Sequence, residues 1–184
     1  MITITTPFTK ETALTLRSGD EVLISGTILT GRDAAHRRLY DLHQKGEKLP
    51  IELMDKIIYF VGPTPTPPGS AIGSAGPTTS GRMDLYSPTL LEHYGLRGMI
   101  GKGKRSDEVK NSLQKFGGVY FSAIGGLAAV LSECVTESKV ILYEDLGPEA
   151  IYELKVKDFP AVVINDCHMG DAYIENQAKW CNKF

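Results

Sequence analysis

The chain has 184 residues, 42% of them hydrophobic, and a formal net charge of -2. That size predicts a single domain over residues 1–184 with a real core, and the near-neutral charge argues against nucleic acid or an anionic membrane as partner. No apolar run reaches membrane-spanning length and no basic region followed by a long apolar segment opens the sequence, so a cytoplasmic protein is expected.

The opening stretch through Arg17 alternates Thr with apolar residues, which predicts an edge strand or an extended arm over residues 1–18. Gly19-Asp20 reads as a turn, and the β-branched run Glu21 to Ile28 as a strand. A helix is predicted from Asp33 to Gln44, because Ala35, Leu39 and Leu42 recur near a 3.6-residue period and Gly46 stops it. Ile57 to Val61 is a short apolar strand. Gly62 to Gly69 carries too many prolines for a ladder or a helix and reads as a stiff loop. Ser87-Pro88 predicts an N-cap with Pro at the first helical position, the helix running through Leu90, Leu91 and Tyr94 to Gly95. Arg97 to Gly101 is a strand, Ser106 caps a helix to Phe116, and Val119 to Ile124 is a further strand. Gly125-Gly126 opens an apolar helix from Leu127 to Leu131, while Lys139 to Tyr143 and Ala161 to Ile164 read as buried strands. The alternation of strands and helices predicts an α/β or mixed class.

Chemistry concentrates in the run Gly76-Pro77-Thr78-Thr79-Ser80-Gly81-Arg82-Met83-Asp84. Glycines free the backbone, hydroxyl residues suit a helix start, and a helix start offers N–H groups to an anion. Arg82 adds a forked cation matched to a carboxylate. A related grammar, glycine and then a cation beyond a strand, recurs at Gly31-Arg32 and at Gly101-Lys102-Gly103. Binding sites in α/β proteins gather where strands end, so Arg32, Arg82 and Lys102 together suit a small dianion such as a dicarboxylate. Gly-Lys-Gly lacks the spacing of a phosphate loop.

His36 lies four residues after Arg32, which puts both on one helical face. It either orients a carboxylate, shuttles a proton, or serves as a structural histidine. Cys134, Cys167 and Cys181 form no Cys-x-x-Cys pair and are not spaced as cluster ligands, which fits a reduced compartment. The Asp166-His168-Asp171 stretch is too weak a pattern to read as a metal site.

The segments Gly26 to His36 (Gly-Thr-Ile-Leu-Thr-Gly-Arg-Asp-Ala-Ala-His), Gly73 to Asp84 (Gly-Ser-Ala-Gly-Pro-Thr-Thr-Ser-Gly-Arg-Met-Asp) and Gly101 to Gly103 strongly resemble the class I fumarases, oxygen-sensitive iron–sulfur hydro-lyases. The resemblance is to their C-terminal domain, made in many archaea and bacteria as a separate β subunit. It continues through Ser122 to Ala129, Tyr143 to Ile151 and Asp158 to Asp166. It implies a swivelling β/β/α domain, a mixed sheet with flanking helices, closing over a catalytic α subunit. In the family that partner carries a [4Fe-4S] cluster on three cysteines, so the cluster is expected on the α subunit and not on this chain. By motif, Arg32, Arg82 and Lys102 would bind the substrate carboxylates, Thr78 would transfer the proton with Thr79 beside it, and His36 is assigned to the catalytic set.

The resemblance implies the β subunit of a two-subunit fumarate hydratase of the tricarboxylic acid cycle, interconverting fumarate and L-malate, with contacts between copies of the chain. L-Tartrate dehydratase shares the architecture, and Gly81 with Asp84 favours the fumarase pattern. A non-catalytic anion-binding module and a purely structural subunit are the alternatives from other classes.

Overall fold

Ten residues, Glu21–Thr30, form β2, the strand around which the sheet is organised. Strand β1 (Ile2–Thr5) pairs in parallel with its first half and β3 (Ile57–Tyr59) with its end, while β7 (Ile151–Asn165) runs antiparallel along the other edge. Strands β4 (Gly98–Gly101) and β5 (Val119–Ser122) extend the parallel set, and β5 meets β7, which also carries the antiparallel β6 (Val135–Leu142). The order β1-β2-β3-β4-β5-β7-β6 with the added β2–β7 pairing closes five of the seven strands into a barrel-like ring. This is a computed structural model, and it describes residues 1–123, 126 and 128–181. Helices α1 (Lys10–Thr15), α2 (Asp33–Gln44), α3 (Ser87–Tyr94), α4 (Asp107–Phe116), α5 (Ala128–Glu133) and α6 (Ala172–Cys181) flank the strands. The expected α/β class and the mixed, helix-flanked sheet of a swivelling β/β/α domain are therefore present.

Side-chain alternation divides the core. Ile57 and Tyr59 of β3, Ile100 of β4, and Val119 and Phe121 of β5 point to one apolar cluster with Ile24, Ile28, Leu154 and Val163. Their neighbours Ile58, Met99 and Tyr120 turn to the opposite face and pack against Ala35 and Leu39 of α2, Leu90 and Leu91 of α3, and Val109 and Leu113 of α4. Covered on both faces, β3 and β4 are wholly buried, as parallel strands beneath helices must be.

Helix α2 has the predicted bounds, and α4 starts where Ser106 accepts a hydrogen bond from the Val109 amide at 3.3 Å. Gly95 ends α3 in the left-handed conformation. Four readings need correction. The first seventeen residues hold the edge strand β1, but also α1, started by Thr9 accepting from the Thr12 amide. Ser87 does not cap α3: its hydroxyl donates back to the Met83 carbonyl at 2.9 Å, and Tyr86 precedes the helix. Strand β6 is a half-exposed outer strand rather than a buried one. The Ala161 to Ile164 run is only the end of the fifteen-residue β7. Ile124 of the predicted strand Val119 to Ile124, Gly125 of the Gly-Gly opening, and Leu127 of the predicted helix Leu127 to Leu131 lie outside the described residues.

Candidate active site

Parallel strands β2, β3 and β4 end on one edge, and the chain leaving each one carries the flagged residues. Thr30 closes β2, and Gly31-Arg32 leads straight into α2. After β3 the proline-rich loop returns so that the Thr78 amide donates to the Phe60 carbonyl at 2.8 Å. The Lys102 amide then donates to the Thr78 carbonyl at 3.2 Å and the Ser80 amide to the Lys102 carbonyl at 2.9 Å. Thr78, Thr79 and Ser80 are thereby laid alongside the end of β4, with Thr79 bridged to Lys102. On the other side of β3, the Gly31 amide donates to the Tyr59 carbonyl at 3.1 Å. Arg32 and Thr78 consequently flank the end of one strand.

The helix expected after Thr78 is a single 3-10 turn, Ser80–Met83, preceded by Thr79 with no side-chain cap. Among the described residues the hydroxyls of Thr78 and Thr79 make no hydrogen bond, and Lys102 forms no ion pair. The turn carries Arg82 toward α2, where its Nε lies 2.8 Å from Asp33 Oδ1. Arg32 reaches the same carboxylate, Nε to Oδ2 at 3.8 Å, and Glu149 at 3.5 Å. Glu149 also accepts from the Ala34 amide at 3.0 Å, supplying the α2 terminus with the carboxylate that its N–H groups favour. Arg32 Nε and Asp33 Oδ2 are buried without a hydrogen-bond partner among the described residues. The Arg32 guanidinium lies over Gly62, where an added Cβ would sit 2.8 Å from Nη1. Arg32 is thus packed and oriented, with its side chain 24% exposed, while Arg82 is 51% exposed.

His36 lies beneath this cluster. Its Nδ1 is 2.9 Å from the Arg32 carbonyl oxygen, so Nδ1 carries the proton and donates, leaving Nε2 unprotonated. Nε2 is buried without a partner, and the ring packs edge-on against Phe60 and beside Tyr86. Burial, reinforced by Arg105, pushes its pKa down to about 4, against the donor bond to Arg32 and the charge of Asp33. A folded-state pKa below the ordinary 6.5 means that the unfolded chain binds the proton more readily. The resulting stability is complete above pH 6.5 and is lost as pH falls through 4. His36→Asn keeps an N–H donor near Nδ1 and cannot titrate. Wild type should therefore lose on the order of 3 kcal/mol more than the variant between pH 7 and pH 4 in urea unfolding. Parallel pH profiles for the two proteins would contradict this.

The cysteines do not converge. Cys134 lies at the α5–β6 junction with its sulfur 3.8 Å from the Val130 carbonyl, Cys167 is buried against the Ala13 carbonyl, and Cys181 is exposed at the end of α6. Burial raises the pKa of both Cys134 and Cys167. Among the described residues no three His, Cys, Asp or Glu side chains gather to hold a metal. The scattered cysteines among the described residues do not fit an iron–sulfur cluster.

Sequence reasoning missed Asp33, Glu149 and Gly62. Asp33 adjoins Arg32, but its bridge to Arg82 spans two loops and leaves no local signal.

Fold and site together define a barrel-like α/β domain with a cationic, hydroxyl-bearing site at the carboxyl edge of its parallel strands. A family described as "Fumarase C-terminus" matches residues 1–176, and the chain belongs to it. Among its relatives is the "Fumarate hydratase class I, anaerobic" of Escherichia coli (strain K12), 42% identical over 159 residues, or 86% of this chain and 29% of that one. The "Putative fumarate hydratase class I" of Geobacillus stearothermophilus is 38% identical over 172 residues, 91% of this chain and 32% of that one. The "Putative L(+)-tartrate dehydratase subunit beta" of Methanocaldococcus jannaschii is 35% identical over 176 residues, covering 93% of this chain and 90% of that one. The chain thus spans under a third of the fumarate hydratases it matches. No helix among the described residues is long and apolar enough to cross a membrane.

Proposed function

We propose that this chain is the β subunit of a two-subunit iron–sulfur fumarate hydratase, which interconverts fumarate and L-malate once joined to a cluster-bearing α subunit. The observation that carries the reading is the fastening of the Thr78 to Arg82 turn to Lys102 on one side and, through Asp33, to Arg32 on the other. A dicarboxylate needs two cationic anchors, and the two arginines offer a forked pair for one carboxylate while Lys102 offers a point charge for the other. Asp33 keeps the two guanidiniums together and aimed before substrate arrives, so little reorganisation is left for the reaction itself. Thr79 lines the substrate beside Lys102.

Thr78 is the proton-transfer group of this reading, giving a proton to the substrate carbon during hydration and taking it back in reverse. Its ordinary acidity is far too low for that task; Lys102, whose backbone amide donates to the Thr78 carbonyl, would favour the developing alkoxide if its ammonium turns to the same side. His36, neutral and buried, serves as a positioning residue: it holds the Arg32 carbonyl, and with it the start of α2. The [4Fe-4S] cluster is assigned to the partner, where it would supply a Lewis acid.

One observation favours a second substrate, because the chain covers 90% of the tartrate dehydratase β relative. The two substrates are separated by kcat/KM for fumarate and for L-tartrate in one anaerobically assembled complex. Fumarate should be preferred by about 10²-fold or more, since the second hydroxyl of tartrate needs its own partners. A preference for tartrate would reassign the substrate and leave the site intact.

A further inference from the structure

Proton transfer tolerates little misplacement, and an error of about 1 Å costs roughly 10²-fold in rate. Thr78 and Lys102 both sit on loops, so something behind them must fix their separation. The two loops are joined at three successive levels. The first is the backbone exchange of Thr78, Lys102 and Ser80 described above. At the second, Ser80 Oγ lies 2.9 Å from the Tyr120 hydroxyl, which donates to the Gly103 carbonyl at 2.9 Å. Tyrosine has one hydroxyl proton, so with that proton on Gly103 the Ser80 hydroxyl must donate to Tyr120. At the third, Asp84 accepts from Arg105 Nε at 2.6 Å and from the Ser106 amide at 2.7 Å.

The middle level has no slack. A side chain on Gly101 would strike Ser80 Oγ, so β4 approaches the turn as closely as its backbone allows. Gly103 has φ +83°, which turns its carbonyl back toward Tyr120. The Tyr120 ring is fully buried beneath the Arg105 guanidinium, 4.9 Å from the ring centre, and Arg105 is itself 5% exposed and bonded to Ser87 at 2.7 Å. Sealed in this way, the Tyr120 hydroxyl has no route to substrate and acts only through the two loops it joins.

We infer that Tyr120 is a positioning residue of this site, its hydroxyl bridging Ser80 to the Gly103 carbonyl and thereby setting the distance between Thr78 and Lys102. The inference rests on the roles given to Thr78 and Lys102 above. Burial raises the pKa of the phenol, which keeps the bridging proton in place.

Tyr120→Phe tests it, because the ring and its stacking stay while the bridge is lost. In the full chain, amide exchange of Ser80 and Lys102 should quicken by about tenfold or more, with the exchange of α2 and β7 unchanged. In the anaerobic complex with the α subunit, kcat should fall about 10- to 100-fold while KM for fumarate stays within roughly threefold. Ser80→Ala, which spares the Tyr120–Gly103 bond, should show a smaller effect, and the double variant little more than Tyr120→Phe alone. Faster exchange spread evenly over the chain, or unchanged kcat in a complex whose wild type is active, overturns the inference. A wild-type complex inactive on both fumarate and L-tartrate refutes the functional reading instead, and the exchange pattern then decides this one.

Discussion

Arg82→Ala in the assembled complex is expected to lower turnover on the order of 10²–10³-fold, the scale for removing one preorganised electrostatic donor. Arg82 reaches Asp33 from the exposed side of a 3-10 turn whose Ser80 and Met83 are buried, so its loss removes a charge from the site without opening the core. Arg82→Lys should recover only part of the rate, because an ammonium cannot present two parallel donors. Arg32→Ala and Lys102→Ala should fall in the same range, with larger effects on KM. Of the three, Arg32→Ala also leaves Glu149 and Asp33 short of a partner, so its melting temperature should drop the most. Steady-state kinetics on complexes shown to be assembled by gel filtration decide the matter. Near-normal kinetics in all three variants would contradict the carboxylate clamp.

Thr78→Val should remove most turnover while leaving substrate affinity and assembly close to wild type. Valine keeps the β-branched shape and deletes the one group able to exchange a proton. A capping role, which would cost about 0.5–2 kcal/mol on substitution, is not what the local geometry provides. Thr79 rather than Thr78 precedes the 3-10 turn, and neither hydroxyl caps it. Melting temperature should therefore barely move, with Thr79→Val as the control that keeps most of its kcat. A large fall in melting temperature beside a modest fall in kcat would assign Thr78 a structural task instead.

What the sequence revealed of the fold follows the range of the interactions involved. Helices α2 and α4 were legible because their signals are local: a 3.6-residue period and a stopping Gly46 for α2, and a Ser106 cap for α4. Helix α1 carried a readable start at Thr9, masked by the threonine alternation around it. The first part of β7 was missed, although Leu154 and Val156 alternate as buried positions with exposed Lys155 and Lys157. Barrel closure was not legible, because β2 meets β7 in a pairing of residues such as Glu21 and Val162 that no local pattern announces.

The site divides along the same line. Glycine followed by a cation at a strand end flagged Arg32 and Lys102, and the structure gives that grammar a reason. Gly101 exists for the close approach of Ser80, and not to cradle a phosphate. Chemical roles came from the resemblance, since no spacing rule makes a threonine a proton carrier. Asp33 bridging two arginines, and Tyr120 bridging two loops, depend on which strands lie side by side.

On the proposed division of labour, this chain brings the carboxylate clamp and the proton carrier and its partner brings the cluster. The most direct test is anaerobic reconstitution of each chain alone and of the two together, with iron content and fumarate hydration measured on all three. This chain alone should bind no stoichiometric iron–sulfur cluster and show no turnover, the α subunit alone should hold iron without turnover, and the mixture should hydrate fumarate to L-malate. A stoichiometric brown cluster on this chain by itself, or full activity of the α subunit without it, would contradict the account.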